Sequence, residues 1–271
     1  MSETPDLLPS GGADARTWLR RIGALGALLA LIILGSSIFL RLTSVLDPQG
    51  HASSTLAAPL EQAIRLLHRL CASGVALLAL SAVVLRWKQR PAAPQTSQAV
   101  FGIVAATLIL ALIGPLTPGY RLAGVTVVNV VCGVLLLLSF WWLRDWAASG
   151  PAGVRPFDAF SWAALAALLL QVGTGAAASA WEMHAVHWPA LVHLACAVLC
   201  AILIGAVLLD RRSTPGPGGR GWLVAGLLAG QLLLGYLLMW QDPRSVALSF
   251  FHAMLAPLLA GALVSLLKHR S

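Results

Sequence analysis

The sequence predicts an all-α polytopic membrane protein, with eight transmembrane helices arranged as two parallel-repeat four-helix bundles. Three observations predict it. Hydrophobic residues make up 58% of the 271 positions and charged residues 10%, against about 45–50% and about 25% in soluble proteins. Eight apolar runs are each long enough to cross a hydrocarbon core about 30 Å thick, which takes roughly 20 helical residues. Short sequence signals also recur between the two halves of the chain. A soluble enzyme is excluded, because no aqueous fold hides this much apolar surface; mean hydropathy is +0.83. The net charge of +8 does not mark a nucleic-acid partner, since the basic residues are few and scattered between apolar runs.

In chain order, a polar cytoplasmic tail over 1–21 is followed by spans at 22–43, 61–86, 99–118 and 121–143, which form a first bundle over 22–143. A cytoplasmic linker over 144–157 leads to spans at 158–181, 188–210, 220–240 and 245–267, a second bundle over 158–267, and a cytoplasmic tail over 268–271. The first span lacks a small-residue cleavage site and is expected to be a retained helix, not a signal peptide.

The charges between spans alternate. Arg16, Arg20, Arg21, Arg86, Lys88, Arg90, Arg144, Arg155, Arg211, Arg212, Arg220, Lys268 and Arg270 fall on one side, thirteen of the eighteen basic residues. The other side has Arg41, Arg121 and Arg244 at helix ends, with Arg65 and Arg69 in the first turns of span two. By the positive-inside rule both termini are cytoplasmic, and the loops 44–60, 119–120, 182–187 and 241–244 face outward. Cys71, Cys132, Cys196 and Cys200 all lie inside spans. No external-loop disulfide is expected, and Cys196 and Cys200 read as packing residues of a membrane helix more readily than as a redox pair.

The repeat is carried by short matches. Leu66-Leu67-His68-Arg69-Leu70-Cys71 and Leu191-Val192-His193-Leu194-Ala195-Cys196 share His-x-x-Cys, 125 residues apart, and the same offset relates Arg86 to Arg211. Asn129 and His252 correspond on spans four and eight, and Ile113-Gly114 matches Leu234-Gly235 on spans three and seven. Because each half has an even number of spans, the halves enter the membrane alike and the repeat is parallel.

Ionisable groups at membrane depth are costly and carry functional hypotheses. At 1.5 Å per residue, His68, Asn129, His193 and His252 lie roughly 8–12 Å below the outer helix ends. His193 and His252 are placed to face each other across the second bundle, a bis-histidine clamp for haem iron in an apolar wall. A core histidine that simply bonds a carbonyl is the plainer reading for one such residue; two at matched depth, with His68 repeating the placement, favour ligands. Zinc fits less well, because it wants three or four clustered ligands. For the outward loop Glu182-Met183-His184-Ala185-Val186-His187, a metal or haem-edge role and a solvated loop stand side by side.

Taken in order, several segments resemble the heme A synthase family across the whole chain. They are Gly35-Ser36-Ser37-Ile38-Phe39-Leu40-Arg41-Leu42-Thr43, His68-Arg69, Leu116-Thr117-Pro118-Gly119 with Val125-Thr126-Val127-Val128, Gln171-Val172-Gly173-Thr174-Gly175, Leu191-Val192-His193 and Phe251-His252. The resemblance implies haem b bound between His193 and His252 in the second half. It also implies oxidation of the C8 methyl of haem o, the substrate, to a formyl in the first half, making haem A for cytochrome oxidase. His68 is then a ligand or contact of the substrate haem and the leading catalytic residue.

Two departures bear on this. The family has a histidine where this chain has Asn129, and a carboxylate three residues before the span-two histidine where this chain has Arg65. Asparagine is no strong iron ligand and arginine no carboxylate base. Glu61, seven residues before His68 and nearly on the same helical face, is a partial catalytic substitute; a solvated carboxylate at a helix N-terminus is its plainer reading. Arg65 and Arg69 flank His68 and suit haem propionates, with snorkelling to lipid phosphates the alternative.

Two functions follow: an oxidoreductase of the heme A synthase type, or a non-catalytic haem b-binding relative that carries electrons or hands over haem. A transporter fits less well, since the polar residues sit near one surface and only Pro257 interrupts a span. The expected setting is a bacterial inner membrane, with the lipid bilayer, haem O synthase, an electron donor and a second copy of the chain as partners.

Overall fold

The computed structural model describes residues 11–46, 52–88, 94–116, 122–146, 159–182, 188–211, 218–241 and 245–268. Eight helices run through them: α1 (Gly11–Leu42), α2 (Ala58–Lys88), α3 (Pro94–Ile113), α4 (Ala123–Trp146), α5 (Ala159–Glu182), α6 (Trp188–Arg211), α7 (Gly218–Met239) and α8 (Val246–Lys268). Each contains a stretch long and apolar enough to cross a membrane. The eight spans and the all-α architecture are therefore as the apolar runs predict.

The boundaries differ where polar residues extend an apolar run. α1 begins at Gly11, so the second half of the expected tail is helical. Leu19 is buried there and the Arg21 guanidinium stands 5.1 Å from the Trp18 ring. α4 likewise continues to Trp146, into the expected linker. Hydropathy locates the membrane-crossing part of a helix, not its hydrogen-bonded end. The loop after α1 adds one element that no hydropathy reading shows, an antiparallel ribbon of β1 (Ser44–Leu46) and β2 (Ala52–Ser54). Thr43 ties it down, its carbonyl accepting from the backbone N–H of Thr55 at 2.8 Å and from the Thr55 hydroxyl at 3.0 Å.

In the first half α1 packs on α2 and α4, and α3 bridges α2 and α4. The second half repeats the ring: α5 packs on α6 and α8, with α7 bridging them. In this order α6 and α8 lie on a diagonal, as do α2 and α4. α4 and α8 join the rings, α4 against α5 and α8, and α8 also against α1. One apolar core centres on Leu19, Leu34, Val75, Ile103, Leu137 and Phe140, the other on Ala164, Leu168, Ile204, Val224, Leu259 and Leu263. Leu138 and Trp142 of α4 pack against both.

A polar lock fastens the C-terminal ends of α4 and α8. Ser265 donates to a carboxylate oxygen of Asp145 at 2.6 Å and accepts from the Trp141 indole at 2.8 Å. Arg144 pairs with the other Asp145 oxygen at 2.8 Å, and Lys268 donates to the Asp145 carbonyl. At the opposite ends of the helices, Phe39 of α1 meets Phe250 of α8 edge-on at 6.0 Å. α1 and α8 therefore run antiparallel, and their contact joins the two halves beside the histidines.

Candidate functional site

His193 lies five residues into α6 and His252 six into α8, both about 8–9 Å along their helix axes at 1.5 Å per residue. The diagonal placement brings the two rings together, with centroids 6.3 Å apart and planes at 84°. Each is presented by the preceding helix of its hairpin. Nε2 of Gln171 on α5 stands 3.2 Å from Nε2 of His193, and Nε2 of Gln231 on α7 stands 3.4 Å from Nε2 of His252. Both glutamines are buried, at 5% and 8% exposure, and the Oε1 of each is without a hydrogen-bond partner.

The hydroxyls bear on the tautomers. The Thr174 hydroxyl lies 3.1 Å from the Gln171 carbonyl and 3.3 Å from Nδ1 of His193. A hydroxyl has one proton. With that proton on the carbonyl, Nδ1 of His193 is the donor in the second bond, and Nε2 keeps its lone pair facing the Gln171 amide. His68, ten residues into α2, is held in the same way. The Ser36 hydroxyl donates to the Ile33 carbonyl at 2.9 Å and stands 3.0 Å from Nδ1 of His68. Nδ1 donates again and Nε2 is left as an acceptor, the state in which imidazole binds a metal. His252 differs, because no hydroxyl meets its buried Nδ1, which makes no hydrogen bond of normal geometry.

The separation of the two ring centres is the one a shared haem iron needs, once each Nε2 is released from its glutamine. Metal–imidazole bonds of about 2 Å put two coordinating nitrogens about 4 Å apart, and adding a ring radius on each side gives ring centres about 6 Å apart. The glycines at the pair form a cradle: a Cβ on Gly175 would lie 2.8 Å from Cε1 of His193, and one on Gly235 would lie 3.1 Å from Cε1 of His252. The orphaned Oε1 atoms and Nδ1 are buried polar groups of the kind that a bound group or ordered water satisfies. Among the described residues no three His, Cys, Asp or Glu side chains gather around one point.

The other predicted residues are distributed less favourably. Glu61 is committed to its own helix, its carboxylate oxygen accepting from Nε of Arg65 at 2.7 Å and pairing with Nη2 at 2.5 Å. Arg65 and Arg69 are exposed, and Asn129 is half-buried six residues into α4. Cys71, Cys132 and Cys200 are buried and Cys196 half-buried, all as free thiols. Arg121, His184, His187 and Arg244 lie outside the described residues, as does the 117–119 segment.

The helical pairs reveal a finer repeat than the one at 125 residues. Gln171 and Gly175 recur as Gln231 and Gly235, each 60 residues on, and His193 recurs as His252. The same register places Ile33 and Ser36 before His68, and Leu110 and Ile113 before Asn129. Only the second-half hairpins carry the amide, only the first hairpin of each half carries the hydroxyl, and the α3–α4 hairpin has neither. Ser36, Thr174 and Gln231 are the residues that sequence reasoning missed as site residues; the paired Gly35-Ser36 and Gly173-Thr174 steps and the two Gln-x-x-x-Gly runs were the available signal.

Fold and site together define an eight-helix membrane protein with a half-buried imidazole pair in one four-helix ring and, among the described residues, a single tethered histidine in the other. No family model matches the chain, and no curated protein matches it either.

Proposed function

We propose that the chain is a membrane oxidoreductase of the heme A synthase type, holding haem b between His193 and His252 and oxidising the C8 methyl of haem o to a formyl beside His68. One observation carries the reading: two imidazoles 6.3 Å apart across a helical ring, each presented by a buried glutamine of the neighbouring helix. Bound there, haem b supplies one-electron chemistry at its iron. The chain's own residues do the rest. Gln171 and Gln231 orient the rings, Thr174 fixes the tautomer of His193, and the surrounding apolar helices exclude water. In the first half, the Ser36 hydroxyl accepts a hydrogen bond from Nδ1–H of His68 and leaves Nε2 for the iron of the substrate.

The distribution of basic residues supports cytoplasmic termini and a site toward the outer face of a bacterial inner membrane. The reaction implies haem O synthase as the source of the substrate, and an electron-transfer partner. The test is co-expression with a haem O synthase in a host lacking heme A synthase, followed by extraction and identification of the haems. Haem A supports the enzyme; haem b alone with no conversion overturns it.

A second reading, a haem b protein that carries electrons or hands over haem without oxidising it, is favoured by the state of Glu61. Its carboxylate is bound to Arg65, and the α3–α4 hairpin offers Leu110 and Asn129 where the second half has Gln231 and His252. The same extraction separates the two.

A further inference from the structure

We propose that His193 and His252 are unequal ligands, His193 anchored and His252 exchangeable, so that a small neutral molecule takes the His252 side of the reduced iron. This inference rests on the haem reading above.

Three histidines are presented by three helices. A backbone carbonyl faces each ring: Ile33 for His68, Gln171 for His193 and Gln231 for His252. On α1 and α5 a hydroxyl three residues further on, Ser36 or Thr174, donates to that carbonyl and accepts from Nδ1. On α7 the corresponding position is Leu234. It offers no acceptor, and Nδ1 of His252 makes no hydrogen bond of normal geometry.

The hold that His252 does have is on the wrong atom for a ligand. Gln231 stands 3.4 Å from Nε2, the nitrogen that iron would take, so coordination would displace it. His193 loses its Gln171 contact in the same way but keeps Thr174 on Nδ1. A hydrogen bond on the remote nitrogen fixes ring orientation and raises ligand basicity, and removing one typically lowers metal affinity about 10–100-fold. Exchange at His252 breaks one iron–nitrogen bond, forms one iron–ligand bond and leaves the imidazole neutral.

The experiment uses the full chain, purified with the haem it acquires in haem-replete cells, reduced with dithionite and titrated with carbon monoxide. The wild type forms a carbon monoxide complex. Leu234→Thr, which puts a hydroxyl where α5 has Thr174, raises the half-saturating concentration about tenfold or more. His252→Ala keeps its haem in a high-spin, carbon monoxide-binding form, whereas His193→Ala loses haem during purification. An unchanged titration in Leu234→Thr, or equal haem retention by the two alanine variants, overturns the inequality and leaves the haem reading standing. Wild-type protein that purifies without haem overturns both.

Discussion

Nε2 of Gln171 stands 3.2 Å from Nε2 of His193, on the one ring nitrogen that the Thr174 contact leaves unprotonated. The glutamine keeps the imidazole aimed in a site where an unpaired lone pair would otherwise be buried. Gln231 repeats the relationship with His252 at 3.4 Å. The geometry has consequences that variants expose.

The cradle at Gly175 is the sharpest steric test. A Cβ there would lie 2.8 Å from Cε1 of His193, while one on Gly205 of α6 would meet nothing within 4 Å. Gly175→Val is expected to push the His193 ring off its position and to lower bound haem at least several-fold. Gly205→Val leaves it unchanged. Haem-to-protein absorbance ratios of the purified variants read the difference.

Ser36→Ala removes the hydroxyl that meets Nδ1 of His68 and leaves only the Ile33 carbonyl facing the ring. The loss corresponds to about 1–3 kcal/mol for a buried group. In cells making haem o, Ser36→Ala is expected to retain about tenfold less of it, with haem b unaffected because His193 and His252 belong to the other ring. Haem extraction and chromatography measure both at once.

The Asp145 lock predicts a stability effect with no change at the site. Its carboxylate accepts from Ser265 and pairs with Arg144, and its own side chain is 14% exposed. Asp145→Ala strips partners from Ser265 and Arg144, and is expected to cost about 1–3 kcal/mol and to lower the melting temperature in detergent. Glu61→Gln, which breaks an ion pair whose Arg65 side chain is 47% exposed, is expected to cost under about 1 kcal/mol. Thermal melts of the two variants against wild type check the ranking.

Much of the fold was legible because hydropathy and charge alternation act over twenty residues at a time. The eight spans, their two-by-four grouping and the helices that carry His68, His193 and His252 all follow from such long signals. The helix ends were less legible: Gly11–Arg21 and Arg144–Trp146 are polar enough to read as tail and linker, yet they continue hydrogen-bonded helices. The β1–β2 ribbon was invisible because its pairing depends on Thr43 meeting Thr55, a contact between residues that carry no hydropathy pattern. At the site, the imidazoles stood out because ionisable groups are rare at depth. Ser36, Thr174 and Gln231 did not, since hydroxyls and amides are tolerated in membrane helices, and which carbonyl or imidazole they meet is set by helix rotation. Glu61 shows the converse: its helical phase relative to His68 suggested a role, but Arg65, one turn along, takes its carboxylate.

One haem iron shared by His193 and His252 is the proposal on which the haem b predictions depend. Its most direct test is the haem content and reduced-minus-oxidised spectrum of the purified wild type beside the His193→Ala/His252→Ala double variant and His68→Ala. The expected result is haem b with a low-spin spectrum in the wild type, the same signal in His68→Ala, and none in the double variant. A double variant that keeps the low-spin haem b signal would contradict it.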